Sequence, residues 1–246
     1  MKIITILTLV FMTAAVNADD SEALIKTALS KVTSANVKVV SILDTPIDGI
    51  KEVMVDAGRG SEILYISSDG KYIINGTLFD IDNRVDLTDQ KKSVIRKDTL
   101  AKFDEAQRIN FYPDNMEHHI TVFTDIDCGY CRKLHIETVP ELNVAGVEVR
   151  YLAFPRAGLD SASYRKIASA WCAKDKLAAL TALKNRQPIK ENVCKDNPVA
   201  SHFLLGQKIG ITGTPALILE DGALLPGYSP AAELLTIMGL DDNSDG

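Results

Sequence analysis

The spacing of hydrophobic and polar residues changes several times along the chain. Behind Lys2, residues Ile3 to Val16 form an apolar run that closes on Asn17, Ala18 and the acidic pair Asp19 and Asp20. One positive charge, an apolar stretch shorter than the ~20 residues that cross a bilayer, and small residues at its end have the form of a secretory signal peptide, residues 1–18, cleaved after Ala18. Over Glu22–Ser34, the positions Ala23, Leu24, Ala28, Leu29 and Val32 predict a short amphipathic helix. Short apolar stretches broken by turn residues follow. Val37–Leu43, Ile50–Val55, Ile63–Ile66, Tyr72–Ile74 and Leu78–Ile81 read as strands, and Ser68-Asp69-Gly70-Lys71 as a hairpin connection. Residues 19–90 are thus expected to form a small mixed sheet with one helix. Its ~70 residues make a thin core, a size that favours a partner and makes dimerisation the expectation.

Residues 91–110 are rich in charge, with Leu100, Phe103 and Ala106 three apart and no glycine or proline. They predict an exposed linker helix, the alternative being the first helix of the next domain. From His119 the pattern changes again. Ile120–Phe123 reads as a strand, Lys133–Val139 as a helix, Val147–Phe154 as a strand, and Ser161–Ala182 as a long helical stretch. Val199–Lys208 is a helix, Ala216–Leu219 and Ala223–Leu225 are strands, and Ala231–Met238 is a final helix. This order over residues 111–246 is that of an α/β thioredoxin-like domain with a helical insertion. The Asp241–Gly246 tail is expected to be disordered.

Composition narrows the function classes. The 246 residues are 46 % hydrophobic and 24 % charged, which excludes a disordered, collagen-like or polytopic membrane chain. The net charge of −6, with 27 basic residues, argues against nucleic acid as a partner. Loss of Lys2 with the leader takes the charge from −6 to −7. No later run is long enough for membrane insertion, and export places the mature chain in an oxidising compartment, the periplasm, where disulfides persist.

The candidate chemistry sits in Cys128-Gly129-Tyr130-Cys131. Two cysteines separated by two residues close a small disulfide ring with little backbone movement. At a helix start, exposed backbone N–H groups and the helix dipole favour the thiolate, the species that attacks a disulfide. Cys128 is expected to be the partly exposed attacking thiol, and Cys131, one turn into the helix, the buried resolving thiol. The strand–CxxC–helix setting makes the signal strong. A c-type haem site needs histidine where Arg132 stands. A zinc site needs a second close ligand pair, whereas Cys172 and Cys194 lie 22 apart. No cofactor or metal is therefore expected. The remaining cysteines, Cys172 and Cys194, pair by elimination, as a structural bridge or, alternatively, in redox exchange with the first pair. Gly213-Thr214-Pro215 offers a proline between a turn and a strand, a setting for a cis bond. Thr214 would there present backbone groups to an extended substrate, the alternative being an ordinary strand-entry proline.

These residues resemble the DsbC family of dimeric bacterial thiol:disulfide interchange proteins. The resemblance rests on Leu64-Tyr65-Ile66 with Asp69-Gly70-Lys71, Phe123–Ile126 before the CxxC, Arg150–Arg156, Trp171–Lys176 and Gly213–Ala216. It implies an N-terminal dimerisation domain, a helical linker and a thioredoxin-fold catalytic domain in a V-shaped homodimer. It further implies Cys128 as nucleophile, Cys131 as resolving thiol, Tyr130, Thr214 and Pro215 at the substrate, Pro215 in cis and a structural Cys172–Cys194 bridge. Misoxidised exported proteins are the implied substrates, and a membrane thiol reductase of the DsbD type the implied electron donor. Two positions depart from the family pattern. Asp127 stands where an uncharged threonine is expected, and either opposes the Cys128 thiolate or points to solvent. Val122 stands where thioredoxins place a buried aspartate, leaving Asp125 as the candidate substitute. His118 and His119 read as surface residues, and His135 as exposed on the helix of Cys131. The resulting expectation is a disulfide isomerase with secondary chaperone activity. The alternatives are a DsbG-like reductase of sulfenylated cysteines, a non-catalytic holdase and a monomeric oxidase.

Overall fold

The computed structural model describes residues 18–32, 37–56, 58 and 60–241. The apolar run Ile3–Val16 and all of the C-terminal tail except Asp241 lie outside them. The chain divides into two compact units, one of residues 1–58 and 62–76, the other of residues 59–61 and 77–246.

In the first unit, helix α1 (Ala18–Val32) lies against a sheet of β1 (Lys38–Asp44), β2 (Ile50–Asp56), β3 (Ser61–Ser67) and β4 (Ile73–Ile74), in that spatial order. Ile25 and Leu29 of α1 meet Val53 and Val55 of β2 and Leu64 and Ile66 of β3. The helical spacing of α1 and the period-two spacing of β2 and β3 thus converge on one small core. In the connection from β3 to β4, Asp69 accepts from the Lys71 N–H and from Ser67 Oγ, and Gly70 takes a positive φ of 69°. At the β4 edge, Tyr72, Ile73 and Ile74 stay exposed.

The second unit opens with a short hairpin, β5 (Phe79–Asp80) and β6 (Val85–Asp86), and helix α2 (Leu87–Ala101). The helix predicted over 91–110 therefore starts and stops earlier. It starts at Leu87 because Asp86 caps it, accepting from the Asp89 N–H at 2.7 Å. It stops at Ala101, before Asp104 caps a 3-10 turn at Glu105–Gln107, and residues 109–111 form a strand instead. Nor is α2 largely exposed. Thr88, Arg96 and Leu100 are buried, and the Arg96 guanidinium donates to Asp89 Oδ1 and to the carbonyls of Ile209 and Gly222.

The main sheet runs β11 (Leu224–Pro226), β10 (Ala216–Ile218), β8 (His118–Thr124), β9 (Val147–Ala153), β7 (Ile109–Phe111), with β8 and β9 parallel and the outer pairs antiparallel. Alternate residues feed opposite faces. Ile120 and Val122 of β8, Val147, Val149, Tyr151 and Ala153 of β9, and Leu217 of β10 enter one core, with Ile167, Ala168 and Leu180. Phe123, Leu152, Ala216 and Ile218 enter the other, with Leu100, Phe154, Ile209 and Ile211. Helices on both faces explain why these strands read as nearly continuous apolar runs.

The stretch predicted as one helix over Ser161–Ala182 is two helices, α5 (Ala162–Trp171) and α6 (Lys176–Lys184). The interruption is made by Asp175, whose carboxylate caps α6 by accepting from the Ala178 N–H at 2.9 Å. Helices α7 (Val199–Lys208) and α8 (Ala231–Met238) occupy the predicted ranges.

Candidate active site

Strand β8 delivers the chain to the site. Thr124 ends the strand, Asp125–Asp127 turn, and Cys128 takes the N-cap position of helix α3 (Gly129–Lys133) with an extended backbone, φ −82° and ψ 119°. The predicted helix Lys133–Val139 is part of a longer one. Helix α3 passes through a π-helical stretch, Leu134–Thr138, into α4 (Val139–Val144). Pro140 lacks the N–H of an unbroken ladder, and the Val139 N–H bonds the Leu134 carbonyl five residues back.

Both CxxC thiols are unbridged. Cys128 was expected to be partly exposed; it is covered, at 3 % exposure, because its thiol turns onto the loop before β10 and donates to the Thr214 carbonyl at 3.2 Å. The Cys131 N–H donates to Cys128 Sγ, also at 3.2 Å. The hydrogen bond with the Cys131 thiol is the largest influence on Cys128, followed by that N–H, and the Arg156 charge acts in the same direction. Against the opposing effect of burial, together they bring the Cys128 thiol down to about 5. Cys131, fully buried, is pushed far above the ordinary thiol value, by burial first and then by its hydrogen bond with Cys128. The two sulfurs are therefore strongly asymmetric, ionisation being favoured at Cys128 and opposed at Cys131.

The Thr214–Pro215 peptide bond is cis, and Pro215 is buried, its carbonyl accepting from the Gly227 N–H at 2.8 Å. Tyr130 projects outward, 65 % exposed, and stacks on Tyr228 at 6.1 Å between ring centroids; Lys133 lies over the same Tyr228 ring at 4.5 Å. Cys172 and Cys194 are bridged, with their Cα atoms 5.8 Å apart, tying the end of α5 to the loop before α7.

The half-exposed Asp127 carboxylate pairs with Lys166 Nζ at 2.9 Å. Asp125 is buried and saturated. It accepts from Ser163 Oγ, from the backbone N–H groups of Asp127 and Arg156 and from Arg156 Nε. Desolvation works against its charge, yet these hydrogen bonds prevail and hold its carboxyl below the usual range. Val122, at the position where thioredoxins carry an aspartate, is buried apolar core.

His135 was expected to be exposed and is instead buried. It sits four residues after Cys131, on the same inward face, with Nδ1 at 3.1 Å from Tyr151 Oη and Nε2 at 3.1 Å from Thr181 Oγ1. His118 and His119 both reach Glu220, at 3.6 and 2.9 Å. Among the described residues, no group of three or more histidine, cysteine or acidic side chains is placed to hold a metal ion.

Sequence reasoning overlooked Tyr228, Arg156 as a charge near Cys128, and Lys184, buried against Thr124 and Asp125 just ahead of the CxxC. Arg156 stood in a quoted motif, but no spacing rule connects it to a cysteine 28 positions away. A lysine at a helix end is normally solvated, so Lys184 carried no signal.

Comparison with known proteins agrees with this geometry. Residues 14–89 match the disulfide bond isomerase protein N-terminal domain and residues 106–240 a thioredoxin-like domain. The thiol:disulfide interchange protein DsbC of Escherichia coli K12 is 37 % identical over 217 residues, covering 88 % of this chain and 87 % of that protein. The chain belongs to the DsbC family of thiol:disulfide interchange proteins. The DsbC of Salmonella typhimurium is 38 % identical over 230 residues, 94 % of this chain and 91 % of its own. A crystal structure of a disulfide interchange protein from Neisseria gonorrhoeae superposes with a TM-score of 0.50 at 32 % identity, over 56 % of this chain and 96 % of that one. As a DsbC family member, the chain is a thiol:disulfide oxidoreductase with disulfide isomerase activity, on an N-terminal DsbC domain followed by a thioredoxin-like domain.

Proposed function

We propose that this DsbC family member rearranges wrong disulfides in exported proteins, in the periplasm and as a homodimer, with Cys128 as nucleophile and Cys131 as resolving thiol. The observation that carries the reading is the asymmetry of the CxxC pair, with the Cys128 sulfur at the helix N-cap, 3.2 Å from both the Cys131 N–H and the Thr214 carbonyl. The Cys128 thiolate attacks a substrate disulfide, forming a mixed disulfide and releasing one substrate thiolate. That thiolate attacks another substrate disulfide, a substrate sulfur displaces Cys128, and the enzyme leaves reduced. When rearrangement stalls, Cys131 displaces the substrate and leaves the enzyme oxidised. A thiol reductase in the membrane, of the DsbD type, would return it to the dithiol. Tyr130, Thr214 and Pro215 receive the substrate, Thr214 offering its backbone to an extended segment.

Several observations support the remaining parts. The signal-peptide pattern of residues 1–18 supports export, and no helix among the described residues is long and apolar enough to cross a membrane. The exposed apolar edge of β4 supports pairing of two copies through the first unit, since an uncovered apolar edge invites a further strand. A cleft of about 430 Å³ lined by Ile126, Arg132, Leu183, Pro188 and Ile189, together with exposed Tyr130, Ile136 and Met116, supports secondary chaperone activity on unfolded chains. Reactivation of scrambled ribonuclease tests the reading. The unmutated chain should restore activity and Cys128→Ala should not; full reactivation by Cys128→Ala would refute catalysis through this thiol.

A further inference from the structure

The Lys184 ammonium ends helix α6 inside the protein, with no exposure to solvent. Its Nζ donates to Thr124 Oγ1 and, at 3.2 Å, to the Asp125 carbonyl, and lies 5.9 Å from the centre of the Tyr151 ring. Both oxygens belong to the last strand residue and first turn residue ahead of Cys128. These partners are neutral, and among the described residues no carboxylate forms an ion pair with Lys184. The nearby Asp125 carboxylate is already filled by Ser163, Asp127 and Arg156. A buried charge without an ion-pair partner is costly and needs a compensating anion.

The titratable and charged groups facing Lys184 are Cys131 and Cys128 at the helix start, Asp125, Arg132, His135 and Tyr151. Arg132 repels it. His135 is held neutral, brought down to about 4 by burial first and by Lys184 second. Tyr151 is held as a phenol by burial. The anions that the chemistry itself creates are the thiolates of Cys131 and Cys128. Burial brings Lys184 down to about 8, and the two cysteines act in the opposite direction, Cys131 more than Cys128.

We propose that Lys184 is a positioning residue for the resolving step, its ammonium supplying the buried counter-charge against which Cys131 ionises. This rests on the reading of Cys131 as the resolving thiol. In that step the Cys131 sulfur bonds to Cys128 and the bond from Cys128 to the substrate sulfur breaks. The proton of Cys131 ends on the leaving substrate sulfur, so the enzyme gains a disulfide, the substrate gains a thiol, and no outside oxidant is needed. Burial opposes ionisation of Cys131, and the Lys184 charge acts against that effect. Lys184 would thereby set how long a substrate stays attached before it is expelled.

Ellman's reagent reads the two sulfurs separately, since attack by Cys128 releases one thionitrobenzoate and attack by Cys131 on the mixed disulfide releases a second. Lys184→Met removes the ammonium and keeps a long side chain in the buried site, at the cost of the two hydrogen bonds to Thr124 Oγ1 and the Asp125 carbonyl. It should slow the second release by about tenfold, the weight of one pKa unit. It should also move the pH profile of that release upward and leave the first release within about threefold. A second release with unchanged rate and pH profile overturns the proposal. On the unmutated fold, the Lys184 side chain followed by carbon NMR should titrate at higher pH in the dithiol than in the disulfide form, because coupling between charges is reciprocal; coincident titrations also overturn it. Cys131→Ser separates the two levels of the argument. It should give the first release alone. Both releases from Cys131→Ser would remove the resolving role of Cys131, and with it the role of Lys184.

Discussion

The Cys128 thiol and the Thr214 carbonyl meet at 3.2 Å although 86 residues separate them in the chain. The contact joins the start of helix α3 to the entry of strand β10, and it changes with protonation. A thiol donates to that carbonyl; a thiolate has no hydrogen to give. Ionisation of Cys128 therefore leaves the Thr214 carbonyl without this donor.

The low value of Cys128 fixes how stability responds to pH. Its folded value of about 5 lies well below that of an unfolded thiol. The thiolate's contribution is complete above the unfolded value and is lost as pH falls through about 5. The reduced protein should gain stability between about pH 5 and pH 9, by a few kcal/mol at about 1.4 kcal/mol per unit. The disulfide form has no sulfur titration and should show a smaller rise, carried at the acid end by groups common to both forms such as buried His135. Parallel urea titrations of the two forms across this range check it; equal slopes would contradict the thiolate account.

Asp127 and Arg156 should differ sharply although both stand near Cys128. Asp127 is engaged by Lys166 at the surface, so Asp127→Thr should leave the thiolate absorbance titration of Cys128 within about 0.3 units, the scale of a screened surface charge. Arg156 acts on Cys128 directly and also supports Asp125. Arg156→Gln should raise the Cys128 midpoint by about half a unit or more. The reverse ranking of the two variants would show that Asp127 faces the thiolate.

The Cys172–Cys194 bridge closes a segment of 22 residues around helix α6. The loop is also held by bonds from the Asn192 N–H to Ser169 Oγ and from the Cys194 N–H to Cys172 Sγ. Replacing both cysteines by serine should cost about 3 kcal/mol in chemical unfolding, the chain-entropy value for a loop of this size. Alkylation of Cys128 by iodoacetamide should keep its rate, because neither sulfur touches the CxxC. A large loss of Cys128 reactivity would mean that the two pairs communicate.

What the sequence made legible follows the range of each signal. Nearly continuous apolar runs located β8 and β9, which are buried on both faces, and helical spacing located α7 and α8, each of which buries one face. The Asp86 and Asp175 caps were equally present in the sequence, yet charge density obscured the first and a run of alanine and leucine the second. The three-residue strand β7 is too short to show a period. The CxxC was visible as a motif, whereas the exposure of its two members was not. Burial of Cys128, His135 and Lys184 depends on which loop or helix end lies across them, a relationship between distant segments that spacing along the chain does not encode.

Glycine 222 marks a close approach that one methyl group should disrupt. It occupies the turn between β10 and β11 with φ +90°, and a Cβ there would lie 2.0 Å from the Ser93 carbonyl oxygen of α2. Arg96 of α2 donates to the Gly222 carbonyl at 3.2 Å, so the helix is held on the turn by a buried guanidinium as well as by contact. Gly222→Ala meets two obstacles at once, a backbone conformation unfavourable for alanine and an overlap with main-chain atoms that cannot rotate away. Each is worth on the order of 1–3 kcal/mol. The variant should therefore unfold with a loss of at least about 2 kcal/mol, and amides of α2 should exchange faster than those of β8 and β9. Pro215 and the CxxC lie at the opposite end of β10 from this turn. The folded variant should therefore alkylate Cys128 within about twofold of the unmutated rate. Unchanged stability of Gly222→Ala would show that α2 does not press on the turn; a loss of Cys128 reactivity in the folded variant would show that the turn supports the site at the far end of the strand.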